Sequence, residues 1–292
     1  MDAYRQGDSQ AAIRKAKGTT VRQKTYAELT IADDFMFAKI MRNKRLCIRL
    51  LEVILKIKIR DIVYIEEQKA INVTYDAKGI RLDVYVEDSE GTVFNIEMQT
   101  FDRGNIPKRS RYYQGLIDMN LIERGEDYNN LKNSYIIFIC TTDVFGAGRH
   151  VYTFENRCLE DERIALKDET RKVFLNASST MDDVDEELAS FLSYVAGGDP
   201  TSDFTEEIEE EIVRAKSNED WKVEYMRYLT LRSELLAEGR AEGRAEGKTE
   251  TILNLVAEGD ISQSLGAKKL GLSEEQMARL YEEYSHRNLA LA

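Results

Sequence analysis

Histidine and cysteine are scarce in this sequence. Its 292 residues include two histidines, His150 and His286, and three cysteines, Cys47, Cys140 and Cys158. Neither histidine has a neighbouring residue or a metal-ligand spacing that would suggest a catalytic triad or a zinc site. The cysteines are odd in number and far apart, which is typical of reduced thiols. Histidine-dependent nucleases, zinc hydrolases and disulfide-framed domains are therefore excluded.

Long apolar segments are also missing. No apolar run approaches the ~20 residues that a bilayer-spanning helix needs. The first residues, MDAYRQGDSQAAIRKAKG, lack the apolar segment of a signal peptide. We therefore expect a cytoplasmic protein with no membrane partner.

Positive charge is in deficit, with 41 Lys and Arg against 53 Asp and Glu and a net charge of −12. This balance argues against a protein that is coated in positive charge to grip DNA. Two local segments are basic: residues 1–24, which read as a flexible arm, and residues 103–111. Either segment is alternatively a solvated run of charge.

The segment of residues 81–99, RLDVYVEDSEGTVFNIEMQ, alternates apolar and polar residues on two arms. Such alternation predicts a β-hairpin. A three-residue loop that ends with Gly91 in the left-handed conformation would set Asp83 opposite Glu97. Gln99 then lies on the same face as Glu97, because side-chain direction repeats every two residues.

Two facing carboxylates repel each other unless a cation lies between them. Asp83 and Glu97, with the amide oxygen of Gln99, offer the oxygen ligands that Mg²⁺ binds, and metal-bound water is suited to phosphodiester hydrolysis. A half-exposed hairpin whose solvent face happens to be acidic is the alternative that spacing alone leaves open.

The pattern D-x13-E-x-Q, formed by Asp83, Glu97 and Gln99, resembles the PD-(D/E)XK nuclease fold. More narrowly, it resembles the recombination-promoting nuclease or transposase type. The flanking segments that carry the resemblance are DDFMFAKIM at 33–41, NIEMQ at 95–99, RSRYYQGLIDM at 109–119 and GRHVYTFENRC at 148–158. The resemblance covers roughly residues 25 to 180.

The resemblance implies an α/β core with a mixed central sheet flanked by helices. It also implies a metal-dependent DNA endonuclease linked to recombination or mobile DNA, with Mg²⁺, or alternatively Mn²⁺, bound by Asp83 and Glu97. Asp34 matches an acidic position that helps to hold the site. The lysine of the wider E-x-K motif is replaced by Gln99, which would position the attacking water or add an oxygen ligand.

A helix is predicted after the hairpin, with Pro107 in its first turn and Gly125 near its end. Lys108, Arg111 and Tyr112 share one face at helical spacing. We expect Lys108, Arg109 and Arg111 to contact DNA phosphates, although a solvated helix face is the alternative.

The remaining elements suit this core. One helix is predicted from Asp33 or Asp34 to about residue 55, with these acids capping its N-terminus. Strands are predicted at 59–65, 70–75, 134–140 and 172–176. Three regions result: the arm at 1–24, the nuclease-like domain at 25–180 and an acidic helical region at 181–292.

The helical region contains the repeat AEGRAEGRAEGKTE at 237–250, read as a partner-contacting helix or a bending linker. It ends in three short helices, the third opening at a capping box of Ser273 and Gln276. This unit either reads DNA or serves packing and self-association. Two rival functions stay open for the chain: a catalytically weak DNA-binding protein of the same fold, and a regulator that contacts other proteins through the helical region.

Overall fold

The computed structural model of the chain describes residues 23–71, 79–101 and 104–289. The predicted basic arm, except for its last two residues, lies outside the described residues. So do residues 72–78, which include most of the predicted strand at 70–75, and Arg103 of the second basic segment.

The core is a six-stranded mixed sheet in the order β1-β2-β3-β4-β6-β5. Its strands are β1 (Ile62–Ile71), β2 (Ile80–Asp88), β3 (Val93–Gln99), β4 (Ser134–Cys140), β5 (Val151–Phe154) and β6 (Thr170–Asn176). β3, β4 and β6 run parallel, whereas β1, β2 and β5 pair antiparallel to their neighbours. The continuous apolar run of β4 is buried between two strands, as expected of a central strand.

The predicted strand at 59–65 is wrong at both ends. β1 begins later, at Ile62, and it continues through the polar residues Glu66–Lys69 to Ile71. Glu66, Glu67 and Lys69 pair with β2 along the ladder, and this pairing overrides their low strand propensity.

The hairpin of β2 and β3 has the predicted register, with Val84 opposite Ile96 and Val86 opposite Phe94. Gly91 has φ +82°, the left-handed conformation that the loop requires. The carboxylate of Asp88 organises the loop by accepting from the backbone N–H groups of Glu90 (2.9 Å) and Thr92 (2.8 Å).

The predicted first helix is in fact two, α1 (Asp34–Ile40) and α2 (Lys44–Leu55). Asn43 separates them and caps α2, because its Oδ1 accepts from Arg45 N at 3.2 Å. Capping by Asp33 is wrong: its carboxylate instead accepts from Thr30 N (2.8 Å) and from Lys24 Nζ. The carboxylate of Asp34 does accept a hydrogen bond from a backbone N–H of the first helical turn, that of Phe35, at 2.8 Å.

The helix after the hairpin is α3 (Ile106–Leu121), with Pro107 in its first turn as predicted. It ends before Gly125. Ile106, Leu116 and Ile117 pack on the sheet around Phe138 of β4. This packing determines which side of α3 faces the hairpin.

Five more helices follow among the described residues: α4 (Glu186–Val195), α5 (Asp203–Lys216), α6 (Glu219–Ala257), α7 (Gln263–Leu270) and α8 (Glu274–Leu289). α4 packs on α2, and α5 packs on both α1 and α2. Arg49 of α2, for example, donates to Glu187 of α4 (2.9 Å) and lies over the ring of Phe204 in α5.

The chain divides into two compact units between Lys222 and Val223. The predicted division at residue 181 stays a prediction, as does self-association. The AEGR repeat lies inside the continuous helix α6, so the bending-linker interpretation is wrong. The capping box of α8 is confirmed, with Ser273 N donating to Gln276 Oε1 at 2.9 Å. In the part of the chain that the structure describes, no helix could span a membrane.

Candidate active site

The site lies on the face of the β2–β3 hairpin that α3 covers. Asp83, Glu97 and Gln99 share this face, because alternate residues of paired strands project on the same side. The strand register therefore brings together the three residues that the sequence predicted. Glu97 is only 3% exposed, so its carboxylate is largely removed from solvent.

The two carboxylates are held by each other's strand. Glu97 Oε1 accepts from the backbone N–H of Asp83 at 3.1 Å. Asp83 Oδ2 accepts from the backbone N–H of Met98 at 3.0 Å. Gln68 of β1, which the sequence did not single out, approaches Asp83 Oδ1 with its Nε2 at 3.4 Å. Backbone donors thus fix both side chains, which favours a preorganised site.

Both carboxyl groups hold protons more tightly than usual. Burial, and then the negative charge of Asp34, raise the pKa of Asp83 to about 7. Burial, and then the charge of Asp83, raise the pKa of Glu97 well above its ordinary value. The positive charge of Arg109 opposes both shifts without cancelling them. A cation placed between the two groups would therefore be stabilised.

Arg109 of α3 points into the site. Its Nη1 donates to Gln99 Oε1 at 2.6 Å, and its Nη2 lies 3.6 Å from Glu97 Oε2. Nη2 also donates to the hydroxyl of Tyr113 at 3.1 Å. The guanidinium carbon is 5.3 Å from the ring centres of both Tyr113 and Phe138. The predicted phosphate-contacting residue thus contacts the site residues themselves.

The remaining predicted residues are distributed differently. Lys108, Arg111 and Tyr112 lie on the exposed side of α3, away from the face that carries Arg109 and Tyr113. Asp34, at the start of α1, is close enough for its charge to act on Asp83. Tyr113 was missed, although its spacing of four from Arg109 placed both on one helix face.

The donor set fits a magnesium-type ion. Among the described residues, no group of three or more His, Cys, Asp or Glu side chains could hold a metal. Mg²⁺, however, is commonly bound through one or two carboxylates, with waters and substrate phosphates completing its shell. Asp83 and Glu97 supply two such carboxylates, with more negative charge than Arg109 offsets.

The raised pKa values make stability depend on pH. Between pH 4 and pH 7 the native Asp83 retains a proton that the unfolded chain releases, so the free energy of unfolding should fall as pH rises through this window. We expect the metal-free protein to be less stable in urea at pH 8 than at pH 5, and Asp83→Asn to flatten this dependence. Equal slopes for the two proteins would contradict the assignment. Glu90→Gln, an exposed change in the hairpin loop, is the control.

Comparison with known proteins identifies the family. No curated protein and no solved structure matches the chain. A family model described as PD-(D/E)XK nuclease family transposase matches residues 32–193, more than half of the chain. The match includes both arms of the hairpin, α1 to α3 and all six strands. The mixed sheet flanked by helices is thus a PD-(D/E)XK fold, and the chain belongs to the PD-(D/E)XK nuclease family of transposases.

Proposed function

We propose that this protein is a metal-dependent DNA endonuclease that acts in recombination or on mobile DNA. The pair of the partly buried Asp83 and the buried Glu97, each hydrogen-bonded to the backbone of the other's strand, is the observation that carries the proposal. Family membership supports a nuclease or transposase-like role, and the name of the family supports DNA as the substrate.

Asp83 and Glu97 would hold the ion, Mg²⁺ or Mn²⁺. When bound, this ion supplies an acidified water and charge stabilisation for the reacting phosphate. Glu97 would also orient the attacking water or accept its proton, because its carboxylate lies beside Asp83 in the site. Asp34 would add negative charge near Asp83 and so strengthen the attraction for the cation.

DNA would lie along the exposed side of α3. Lys108 and Arg111 are exposed there, one helical turn apart, and would contact backbone phosphates. Such local contacts are compatible with a net charge of −12, because phosphate binding depends on the local positive charge. The cytoplasmic location inferred from the sequence remains a prediction.

A catalytically weak DNA-binding protein of the same fold is the second candidate. The oxygen of Gln99 is hydrogen-bonded to Arg109, and position 99 carries no ammonium group to activate a water. Binding of DNA without cleavage at any concentration of Mg²⁺ or Mn²⁺ would favour this candidate.

Incubation with supercoiled plasmid tests the proposal. We expect the intact protein to nick or linearise the plasmid with Mg²⁺ or Mn²⁺ but not with a chelator. Asp83→Ala should abolish cleavage, whereas the exposed loop variant Glu90→Ala should cleave normally. Equal cleavage by Asp83→Ala and the intact protein would overturn the proposal.

A further inference from the structure

We propose that Arg109 is the positioning residue of this site and that Gln99 acts by orienting Arg109 rather than by binding the metal. Arg109 would supply, from α3, the positive charge beside Glu97 that position 99 lacks. The inference rests on the proposed nuclease function and assigns a different chemical role to the glutamine of the E-x-Q motif.

The first step is that Arg109 is held from several sides. Gln99, Glu97 and Tyr113 surround the ends of its guanidinium, and the rings of Tyr113 and Phe138 flank it. Its side chain is only 30% exposed. A planar guanidinium with fixed partners has a defined position, unlike a solvated surface arginine.

The second step concerns the amide of Gln99. A guanidinium can only donate hydrogen bonds, so the atom that faces Arg109 at 2.6 Å is the amide oxygen. The amide nitrogen donates to the backbone oxygen of Phe101. Both ends of the amide are therefore engaged. A metal ion that approached the same oxygen would meet the positive charge of Arg109, which disfavours Gln99 as a ligand.

The third step explains why position 99 is neutral. A lysine there would place an ammonium against the guanidinium of Arg109, and the two like charges would repel. A glutamine instead accepts from Arg109 and directs its charge toward Glu97. Positions 99 and 109 therefore form one unit with one positive charge and one neutral amide.

Exchanging the two groups tests this unit. We expect Arg109→Gln and Gln99→Lys each to lower kcat by roughly 10–100-fold, the usual effect of losing a group that orients site ligands. The double variant Gln99→Lys with Arg109→Gln restores one charge and one amide, so its kcat should return to within about tenfold of the intact protein. KM for DNA should change little in all three.

Arg124→Gln makes the same charge change at an exposed position beyond α3 and serves as the matched control. If Arg109→Gln does not fold, Arg109→Lys is used instead, because lysine keeps the positive charge but lacks the planar guanidinium. Its expected kcat lies between those of the intact protein and Gln99→Lys.

Calorimetric titration with Mg²⁺, without DNA, gives a readout that is independent of cleavage. Gln99→Ala should leave the affinity within about twofold, and Arg109→Gln should raise it because a repelling cation is removed. A tenfold loss of Mg²⁺ affinity in Gln99→Ala would overturn the inference, as would a double variant no better than the weaker single variant. An intact protein that neither binds Mg²⁺ nor cleaves DNA would overturn the proposed function and this inference with it.

Discussion

Glu97→Gln should reduce Mg²⁺-dependent cleavage by about 10³-fold or more. The substitution removes one of the two carboxylates assigned to the metal, and metal-ion catalysis contributes several kcal/mol, with tenfold in rate for each 1.36 kcal/mol. The side chains are nearly the same size, so the packing around this 3% exposed position is preserved. Plasmid cleavage at saturating Mg²⁺ measures the effect.

The same substitution should have a second, opposite effect on stability. Without metal, burial of the Glu97 carboxyl, which raises its pKa, destabilises the native protein at neutral pH, and a neutral amide removes this cost. With Mg²⁺ or Mn²⁺, only the intact protein gains stability, because a ligand that binds the native state raises its Tm. Thermal scans with and without metal separate the two effects. If both proteins respond equally to the ion, the hairpin is not the metal site.

Phe138→Ala should lower the free energy of unfolding by about 3–5 kcal/mol, the usual range for a buried phenylalanine. The ring is fully buried in β4, stacks on Phe174 with centroids 5.7 Å apart, and lies 6.1 Å from the ring of Tyr113. The guanidinium of Arg109 also lies over it, 5.3 Å from the centroid. Truncation leaves a cavity between the sheet and α3.

Urea denaturation of the metal-free protein measures this loss. Tyr128→Ala is the matched control, because this aromatic ring is 83% exposed and its removal should change stability by less than about 0.5 kcal/mol. A loss below about 1 kcal/mol for Phe138→Ala would contradict the central position of β4.

The hairpin was predictable because local rules determine it completely. Alternation sets the two faces, and one glycine in the left-handed conformation sets the register, so Asp83 and Glu97 could be placed without knowledge of the rest of the fold. The break between α1 and α2 was not predictable from periodicity, because the apolar stripe continues across it. Asn43, a favourable capping residue inside the stripe, was the available signal.

The sequence predicted Lys108, Arg109 and Arg111 together as phosphate contacts and did not identify which face of α3 enters the site. Two faces carry cationic and phenolic groups at helical spacing, one with Lys108, Arg111 and Tyr112 and the other with Arg109 and Tyr113. Burial of Ile106 and Ile117 decides between them, because both lie on the side that carries Arg109. The apolar period of α3 could therefore have identified Arg109 as the inward residue.

The cross-strand hydrogen bonds of the carboxylates imply an asymmetry in how the protein can vary. Substitutions of Ser89 and Glu90, which are exposed in the loop between β2 and β3, leave the pairing intact, so the residue types at these two positions are free to change. Insertion or deletion of one residue, if the pairing shifts to absorb it, sends Asp83 and Glu97 to opposite faces of the sheet. The number of residues in this loop is therefore constrained by the need to keep Asp83 and Glu97 on one face of the sheet. Related chains can vary the residue types in the loop more readily than its length.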